Sequence, residues 1–150
     1  MQEISINKQM KLSSHFSLGE LTKTKHQTAD GNIPSHVVIE NLKRLCPWLE
    51  ELRRRYNEPI IINSGYRSPA VNKLAGGSNT SNHLTGCAVD IRTYGMEQAM
   101  RYAVILMDYA DDSNQDFDEI LIEKNSKGSI WLHFAVRPHG NRRKIEFLKA

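Results

Sequence analysis

Three side chains of the kinds that bind divalent metal ions lie in two segments of the sequence. His83 and Asp90 are seven residues apart, and His133 follows about 40 residues later, two residues after Trp131. A turn that holds one histidine and two strands that hold the other two residues can bring two imidazoles and one carboxylate together. Zinc accepts this ligand set and keeps one coordination position open. The pattern therefore indicates a zinc-dependent hydrolase.

The surroundings of these residues distinguish them from ordinary surface side chains. His83 lies in a polar loop rich in Ser, Asn and Gly, whereas Asp90 and His133 interrupt apolar strands. An unpaired carboxylate in such a strand is costly to bury, and a shared cation would stabilise it. The separation of seven residues excludes the helical H-E-x-x-H motif and zinc-finger spacings. In the strand predicted for residues 87–92, alternation places Asp90 on the face opposite Cys87.

The first half of the chain is predicted to be mainly helical. A capping box at Ser17–Glu20 begins a short helix. From Ser35 onward, apolar residues recur at steps of three and four and predict a long amphipathic helix, which Pro47 should kink or divide. A buried strand is expected at Ile60–Ile62, and a further helix is expected to begin with Ser68 as its N-cap.

The second half is predicted to contain one helix and a hairpin. The helix covers residues 96–109. Its inward face is expected to consist of Met100, Val104 and Met107. Two strands, at 120–123 and 130–136, should form a hairpin through the turn Asn125–Gly128. Early helices and late antiparallel strands favour an α+β fold, with a central antiparallel sheet flanked by helices.

Length and composition indicate one ordinary globular domain over residues 1–150. Apolar residues make up 39% of the chain and charged residues 25%. No stretch approaches the ~20 apolar residues of a membrane-spanning helix. We expect a helical part at about 14–57 and a metal-site part at about 58–140. Residues 1–8 lack the features of a signal peptide, which predicts synthesis in the cytoplasm, and two cysteines are too few for a disulfide framework.

The charge of the chain gives weaker information about its partners. A formal net charge of +3 would suit an anionic polymer such as a cell wall or a nucleic acid. The basic residues cluster only at Arg53–Arg55 and Arg142–Lys144, and no aromatic residues alternate with them as a stacking platform for bases requires. We therefore expect a solvated helix face and a charged C-terminal tail, and no nucleic-acid partner.

The candidate ligands belong to a longer pattern of spaced residues. It consists of Ser64-Gly65-Tyr66-Arg67-Ser68-Pro69, Asn72, Gly76-Gly77-Ser78, Ser81-x-His83-x-x-Gly86-x-Ala88-x-Asp90 and Trp131-x-His133. These segments resemble the D-Ala-D-Ala carboxypeptidase/endopeptidase family of zinc peptidases (peptidase family M15), which cut peptidoglycan stem peptides. The opening segment Phe16-x-Leu18-x-Glu20-Leu21 resembles one branch of that family. The resemblance implies a fold shared with the hedgehog signalling domain, with Zn²⁺ bound by His83, Asp90 and His133.

The resemblance also implies catalytic roles for other residues. Arg67 corresponds to an arginine that stabilises the developing oxyanion or binds a substrate carboxylate, although it could instead form a salt bridge within its loop. Many family members have an acid three residues before the second histidine, where this chain has Ile130. Glu123, on the adjacent strand, is therefore the candidate general base. Asp118 and Glu119 are the alternatives for this role. The candidate substrate-binding residues are Arg67, Tyr66, Ser81 and Trp131.

These observations predict zinc-dependent hydrolysis of peptide bonds in peptidoglycan stem peptides, by a carboxypeptidase or an endopeptidase. The alternative is a non-catalytic, zinc-stabilised module that binds the cell wall or a protein, and Ile130 is its main support. Without a signal peptide, the protein is expected to reach the wall as a phage-type endolysin or through non-standard export. It is expected to be a monomer without a membrane span.

Overall fold

The computed structural model describes residues 7–150. The prediction that residues 1–8 are not a signal peptide therefore falls mostly outside the described residues. The described chain forms four α-helices, one 3₁₀ turn and five strands. In chain order they are α1 (Leu18–Thr22), α2 (His36–Tyr56), β1 (Ile62–Ser64), α3 (Pro69–Leu74), the 3₁₀ turn Asn82–Thr85, β2 (Ala88–Arg92), α4 (Met96–Ser113), β3 (Glu119–Lys124), β4 (Ile130–Ala135) and β5 (Lys144–Lys149).

The helices begin at the N-caps that the sequence predicts. Ser17 and Glu20 form both hydrogen bonds of the capping box of α1, and Ser68 caps α3. The prediction that Pro47 divides the long helix is wrong, because α2 continues through this residue. Pro47 removes one backbone N–H and its hydrogen bond. Burial of the apolar face of α2 against the rest of the core compensates for that loss, since tertiary packing supplies most helix stability in proteins.

The five strands form one sheet in the order β1-β2-β4-β3-β5. The pairs β1–β2, β2–β4 and β3–β4 are antiparallel, and the β3–β4 hairpin turns at Asn125–Gly128 as predicted. The α+β fold is thus confirmed. Strand β1 has the predicted length but begins two residues later than predicted: Ile61 is exposed, and Ile62–Ser64 pairs with β2. The expected C-terminal tail is also wrong: Lys144–Lys149 forms β5, an edge strand parallel to β3.

Helices α2 and α4 cover one face of the sheet, and the hydrophobic core lies between them and the sheet. Trp48 of α2 packs its ring 5.0 Å from Tyr109 of α4 and 5.4 Å from Phe134 of β4, measured between ring centroids. Because side chains alternate along a strand, His133 of β4 lies on the opposite face from Phe134. The core and the candidate ligands therefore occupy opposite faces of the same sheet.

The inward face of α4 differs from the predicted one. Met100 and Val104 are exposed, and Met107 is half-buried. The buried residues of α4 are Ala99, Tyr102, Ala103, Leu106 and Ala110. This stripe also has helical spacing, and its small alanines allow α4 to approach α2 closely. None of the helices in residues 7–150 has the length and apolar character needed to span a membrane.

Candidate metal centre

The three candidate ligands meet where β2, β4 and the 3₁₀ turn come together. Asp90 of β2 and His133 of β4 are direct partners in the antiparallel register, on the face away from the core. His83 comes from the 3₁₀ turn. One ligand atom from each residue lies within 4.8 Å of the others, and all three residues are buried. The structure thus brings together the three residues that the sequence singled out.

The local sequence around His83 fixes the position of its ring. The Ser81 hydroxyl accepts a hydrogen bond from the His83 backbone N–H, at 3.1 Å, and caps the turn. Gly86 ends the turn at a φ of 76°, where a side chain would also collide with Val38. Gly65 passes so close to Leu21 that a Cβ atom would lie 2.2 Å from its carbonyl oxygen. This close passage lets the Gly65 carbonyl oxygen reach His83.

Hydrogen bonds determine which nitrogen of each imidazole faces the cluster. His83 Nδ1 lies 2.7 Å from the Gly65 carbonyl oxygen, which can only accept, so Nδ1 carries the proton and Nε2 has the lone pair. His133 Nε2 lies 2.9 Å from Glu119 Oε1 and donates to it, which leaves Nδ1 with the lone pair. The lone-pair nitrogens lie 3.2 and 3.3 Å from Asp90 Oδ1.

This donor set fits a divalent cation. Two lone pairs and a carboxylate oxygen that face each other in a buried position need protons or a cation between them. Without a cation, a proton on His133 Nδ1 would serve instead. Burial lowers the pKa of His133, but its hydrogen bonds to Asp90 and Glu119 outweigh that effect and raise the pKa to about 9. Burial raises the pKa of Asp90, yet the two imidazoles bring it well below its ordinary value. A cation such as Zn²⁺ would replace this proton.

Glu119 has a position that the sequence analysis did not foresee. Besides accepting from His133, its Oε1 accepts a 2.7 Å hydrogen bond from the Asn82 side chain, and Arg142 lies 3.4 Å from its Oε2. Burial raises the pKa of Glu119, but the hydrogen bond from His133 outweighs it and keeps the group ionised. A carboxylate behind a metal-ligating histidine orients the ring and increases its basicity. Glu119 thus contacts the ligand His133 from outside the cluster.

Asp118, the other alternative base, is fully buried and paired with arginines. Arg142 donates to both of its carboxylate oxygens, at 3.0 and 2.9 Å, and Arg137 lies 3.2 Å away. Burial raises the pKa of Asp118, but the hydrogen bonds from Arg142 outweigh it and lower the pKa to about 2. The Asn82 side chain also donates to Asp118, at 2.8 Å. These contacts join the residue before β3 to the segment that precedes β5 and to the 3₁₀ turn.

Glu123 lies in the cleft beside the cluster, without an ion pair to any residue in the described part of the chain. It faces Trp131 directly across the β3–β4 pair. Burial and the negative charge of Asp90 raise its pKa above the ordinary value of 4.5. Trp131 also lines the cleft, and within residues 7–150 its buried indole N–H has no hydrogen-bond acceptor. The approach of this N–H to Glu123 partly offsets the rise in the pKa of the carboxylate, so the two groups are neighbours in the cleft.

Arg67 forms both a salt bridge and part of the cleft wall. Its Nη2 lies 3.0 Å from Asp90 Oδ2, and its Nε donates to the Ser64 hydroxyl at 3.0 Å. Ser81 lines the cleft while it caps the turn of His83. Tyr66 is placed differently from the other candidate substrate-binding residues, because it belongs to the hydrophobic core and is 8% exposed.

The cleft over the cluster has a volume of about 550 Å³. One wall is the 75–83 loop and the 3₁₀ turn, the floor is the outer face of β2, β4 and β3, and β5 with Arg137 and Arg142 closes the other side. Sequence alternation on β3 places Glu119, Leu121 and Glu123 on this face. The sequence analysis named Glu119 only as an alternative general base, and this alternation is the signal by which its place on the face of the cluster could have been predicted. The roles of Asn82, Arg137 and Arg142 depend on long-range contacts that no local pattern shows.

The α+β fold thus places a cluster of two histidines and one aspartate, which could hold a metal ion, at the base of a cleft on the outer face of its sheet. The profile of the Peptidase M15 family matches residues 14–118, which is more than half of the chain, and the chain therefore belongs to this peptidase family. The resemblance found in the sequence is thus confirmed at the level of the family. The matched range includes Arg67, His83 and Asp90, and it ends before Glu123 and His133.

The similar solved structures include one of an endopeptidase. It is the crystal structure of the L-Ala D-Glu endopeptidase ChiX from Serratia marcescens, which is 26% identical in sequence. The alignment covers 68% of this chain and 87% of the ChiX chain, with a TM-score of 0.41. None of the curated proteins matches the chain in sequence.

Proposed function

We propose that this chain hydrolyses peptide bonds in peptidoglycan stem peptides at the cell wall, with Zn²⁺ held by His83, Asp90 and His133 and with Glu123 as general base. One observation is the main support: Glu123 has a raised pKa and no ion pair among the described residues, and it lies in the same cleft as the cluster. Membership of a peptidase family supports peptide hydrolysis, and the residue pattern resembling the zinc peptidases that cut stem peptides supports the substrate class.

Each residue of the cleft has a role in this proposal. Bound Zn²⁺ would lower the pKa of a water molecule and polarise the scissile carbonyl group. Glu123 takes the proton of the attacking water and delivers it to the leaving amine, and its raised pKa brings it closer to the pH at which such a transfer is efficient. Arg67 keeps Asp90 in place through their ion pair, and its remaining N–H groups line the cleft where they can donate to a substrate oxygen. Trp131, which lies next to Glu123, orients the carboxylate through its indole N–H.

The test is digestion of purified peptidoglycan by the zinc-loaded protein, with the Glu123→Gln variant beside the wild type. Mass spectrometry of the released fragments identifies the bond that is cut and separates carboxypeptidase from endopeptidase activity. Glutamine keeps the shape of the side chain but cannot accept the proton, so the rate should fall by roughly a hundredfold or more. The zinc content should stay the same.

The matched control is Glu97→Gln, which changes an exposed carboxylate on α4 far from the cleft and should leave the rate unchanged. If Glu123→Gln cuts at the wild-type rate, another group is the base. If the wild type binds zinc but releases no fragments, the non-catalytic binding module is the correct interpretation.

A further inference from the structure

A second cavity of about 700 Å³ adjoins the metal cleft. Arg67 and Ala75 line both cavities, so together they form the boundary between them. A peptide that passes the cluster and continues over this boundary enters the second cavity. We call this cavity the Lys23 groove; its other walls are the loop at 23–26 and the exposed side of β1 and α3.

The lining of the Lys23 groove is basic. Lys23, Lys25, His26 and Arg67 line it, and no Asp or Glu of residues 7–150 does so. Arg67 is neutralised by Asp90, whereas Lys23 and Lys25 are exposed and form no ion pair with a carboxylate in the described part of the chain. Two ammonium groups without partners beside a concave surface favour an anionic ligand.

The opposite wall of the groove is apolar. Val71 and Ala75 form part of it, and Leu74 of α3 is 59% exposed there. Such a wall suits a short aliphatic group of a ligand rather than a phosphate or a polar sugar alone. An acidic peptide segment has both features, because it combines a carboxylate with small aliphatic side chains.

Hydrogen bonds hold the base of the lysine-bearing loop next to Arg67. The Tyr66 backbone N–H donates to the Leu21 carbonyl oxygen, at 2.8 Å. The buried Asn32 side chain donates to the carbonyl oxygens of Thr22 and Tyr66, at 2.8 and 3.1 Å. Lys23 directly follows this fixed segment. The start of the basic wall is therefore held in place before any ligand arrives, which reduces the entropy lost on binding.

We infer that the Lys23 groove is a substrate subsite that binds the carboxylate-bearing part of an acidic stem peptide through Lys23 and Lys25. This assignment rests on the proposed function, because it gives the substrate a path from the metal cleft over Arg67. It makes Lys23 and Lys25 specificity-determining residues, which distinguish a free carboxylate from a neutral carboxamide at this point of the peptide.

The experiment measures binding of a fluorescently labelled stem tetrapeptide to the zinc-loaded Glu123→Gln protein by anisotropy, so that cleavage does not disturb the reading. Two forms of the peptide are compared, one with a free glutamyl carboxylate and one in which it is a carboxamide. The double variant Lys23→Gln/Lys25→Gln, made in the same background, should bind the free acid about five- to tenfold more weakly, as expected for two solvent-exposed charge contacts. It should bind the carboxamide as before.

The matched control is Lys43→Gln/Lys127→Gln, which removes the same net charge at α2 and at the β3–β4 turn, away from the groove. Control binding equal to that of the parent supports the subsite. If both double variants lose affinity equally, the effect is one of net charge and the assignment is wrong. Equal binding of the two peptides to the parent would also overturn it.

Failure of the subsite and failure of the proposed function give different results. If wild-type protein digests peptidoglycan and Lys23→Gln/Lys25→Gln digests it with unchanged KM, the function stands and the groove is not a subsite. If the charge-dependent binding is found but the wild type cuts nothing, the groove binds acidic peptides and the proposed hydrolysis is wrong.

Discussion

At the scale of single residues, the candidate centre depends on groups that contact the ligands rather than on the ligands alone. Gly65 and Glu119 each accept a hydrogen bond from one imidazole and so select the nitrogen that faces Asp90. The acceptor for His83 is a backbone carbonyl oxygen, which mutation cannot remove directly. The acceptor for His133 is a side chain, so its contribution can be measured.

Replacement of Glu119 by alanine should weaken zinc binding by about 10- to 100-fold, the usual effect of losing a carboxylate behind a ligating histidine. The variant leaves His133 Nε2 without its acceptor, so the ring is free to turn or to change tautomer. Competition with a chromophoric chelator measures the affinity. Glu119→Gln keeps an oxygen acceptor at this position and should restore part of the affinity, which a general loss of packing would not allow. Unchanged affinity in Glu119→Ala, equal to that of Glu97→Ala, would contradict the prediction.

The sequence predicts the ligand types well because polar residues that interrupt apolar strands need partners. This reason applies to Asp90 and His133, and the structure brings both of them together with His83 from the 3₁₀ turn. The hydrogen bond between Glu119 and His133 could not be predicted from the sequence, because it depends on the register of β3 against β4. The register pairs Leu121 with His133, and Glu119 reaches the ring diagonally from two residues away.

At the scale of elements, α2 shows how packing overrides a local signal. Pro47 is exposed, while its neighbours Cys46 and Trp48 are buried. The proline ring thus faces solvent, and the Lys43 carbonyl oxygen, which would accept the missing hydrogen bond, is on the same exposed side of the helix. Water can satisfy this oxygen. The helix therefore continues, with a local loss of stability at the proline.

Replacement of Pro47 by alanine should increase the free energy of unfolding by about 1–3 kcal/mol. Alanine restores the backbone N–H and removes the ring that crowds the preceding turn, and an interior proline costs about 3 kcal/mol relative to alanine. Urea denaturation followed by circular dichroism measures the change as a higher midpoint. Val37→Ala, at an exposed position of the same helix, should change the stability by less than about 0.5 kcal/mol. A lower midpoint for Pro47→Ala would show that α2 is shaped around the proline.

Strand β5 and the inward face of α4 were missed for physical reasons. Lys144–Lys149 is an edge strand with charged residues at both ends, and edge strands are often charged because one side meets solvent. Composition alone does not separate such a strand from a tail. In α4, the methionine stripe and the alanine stripe both have helical spacing. The choice between them depends on how closely α4 approaches α2, which only the assembled fold determines.

At the scale of the whole molecule, the two faces of the sheet have different roles. Its inner face packs against α2 and α4 and forms the core, and its outer face holds the candidate ligands and the cleft. Two ligands belong to neighbouring strands, whereas His83 belongs to a turn that the sheet does not contain. A metal ion bound to all three would therefore connect the turn to the sheet and should stabilise the entire domain.

This connection predicts that metal binding and global stability are linked. A ligand that binds only the folded state adds about 2.7 kcal/mol when its free concentration is 100 times Kd. Removal of zinc with a chelator should therefore lower Tm, and added zinc should restore it in a concentration-dependent way. Calorimetry of the His83→Asn variant should show little zinc-dependent shift, because one of three ligands is lost. His139→Asn changes an exposed histidine outside the cluster and should keep the full shift. The Tm of each metal-free protein is the reference for its own zinc-dependent shift, so destabilisation caused by the loss of the buried His83 ring is measured separately from lost metal binding. A wild-type Tm that does not respond to zinc would show that these three residues do not form a metal site.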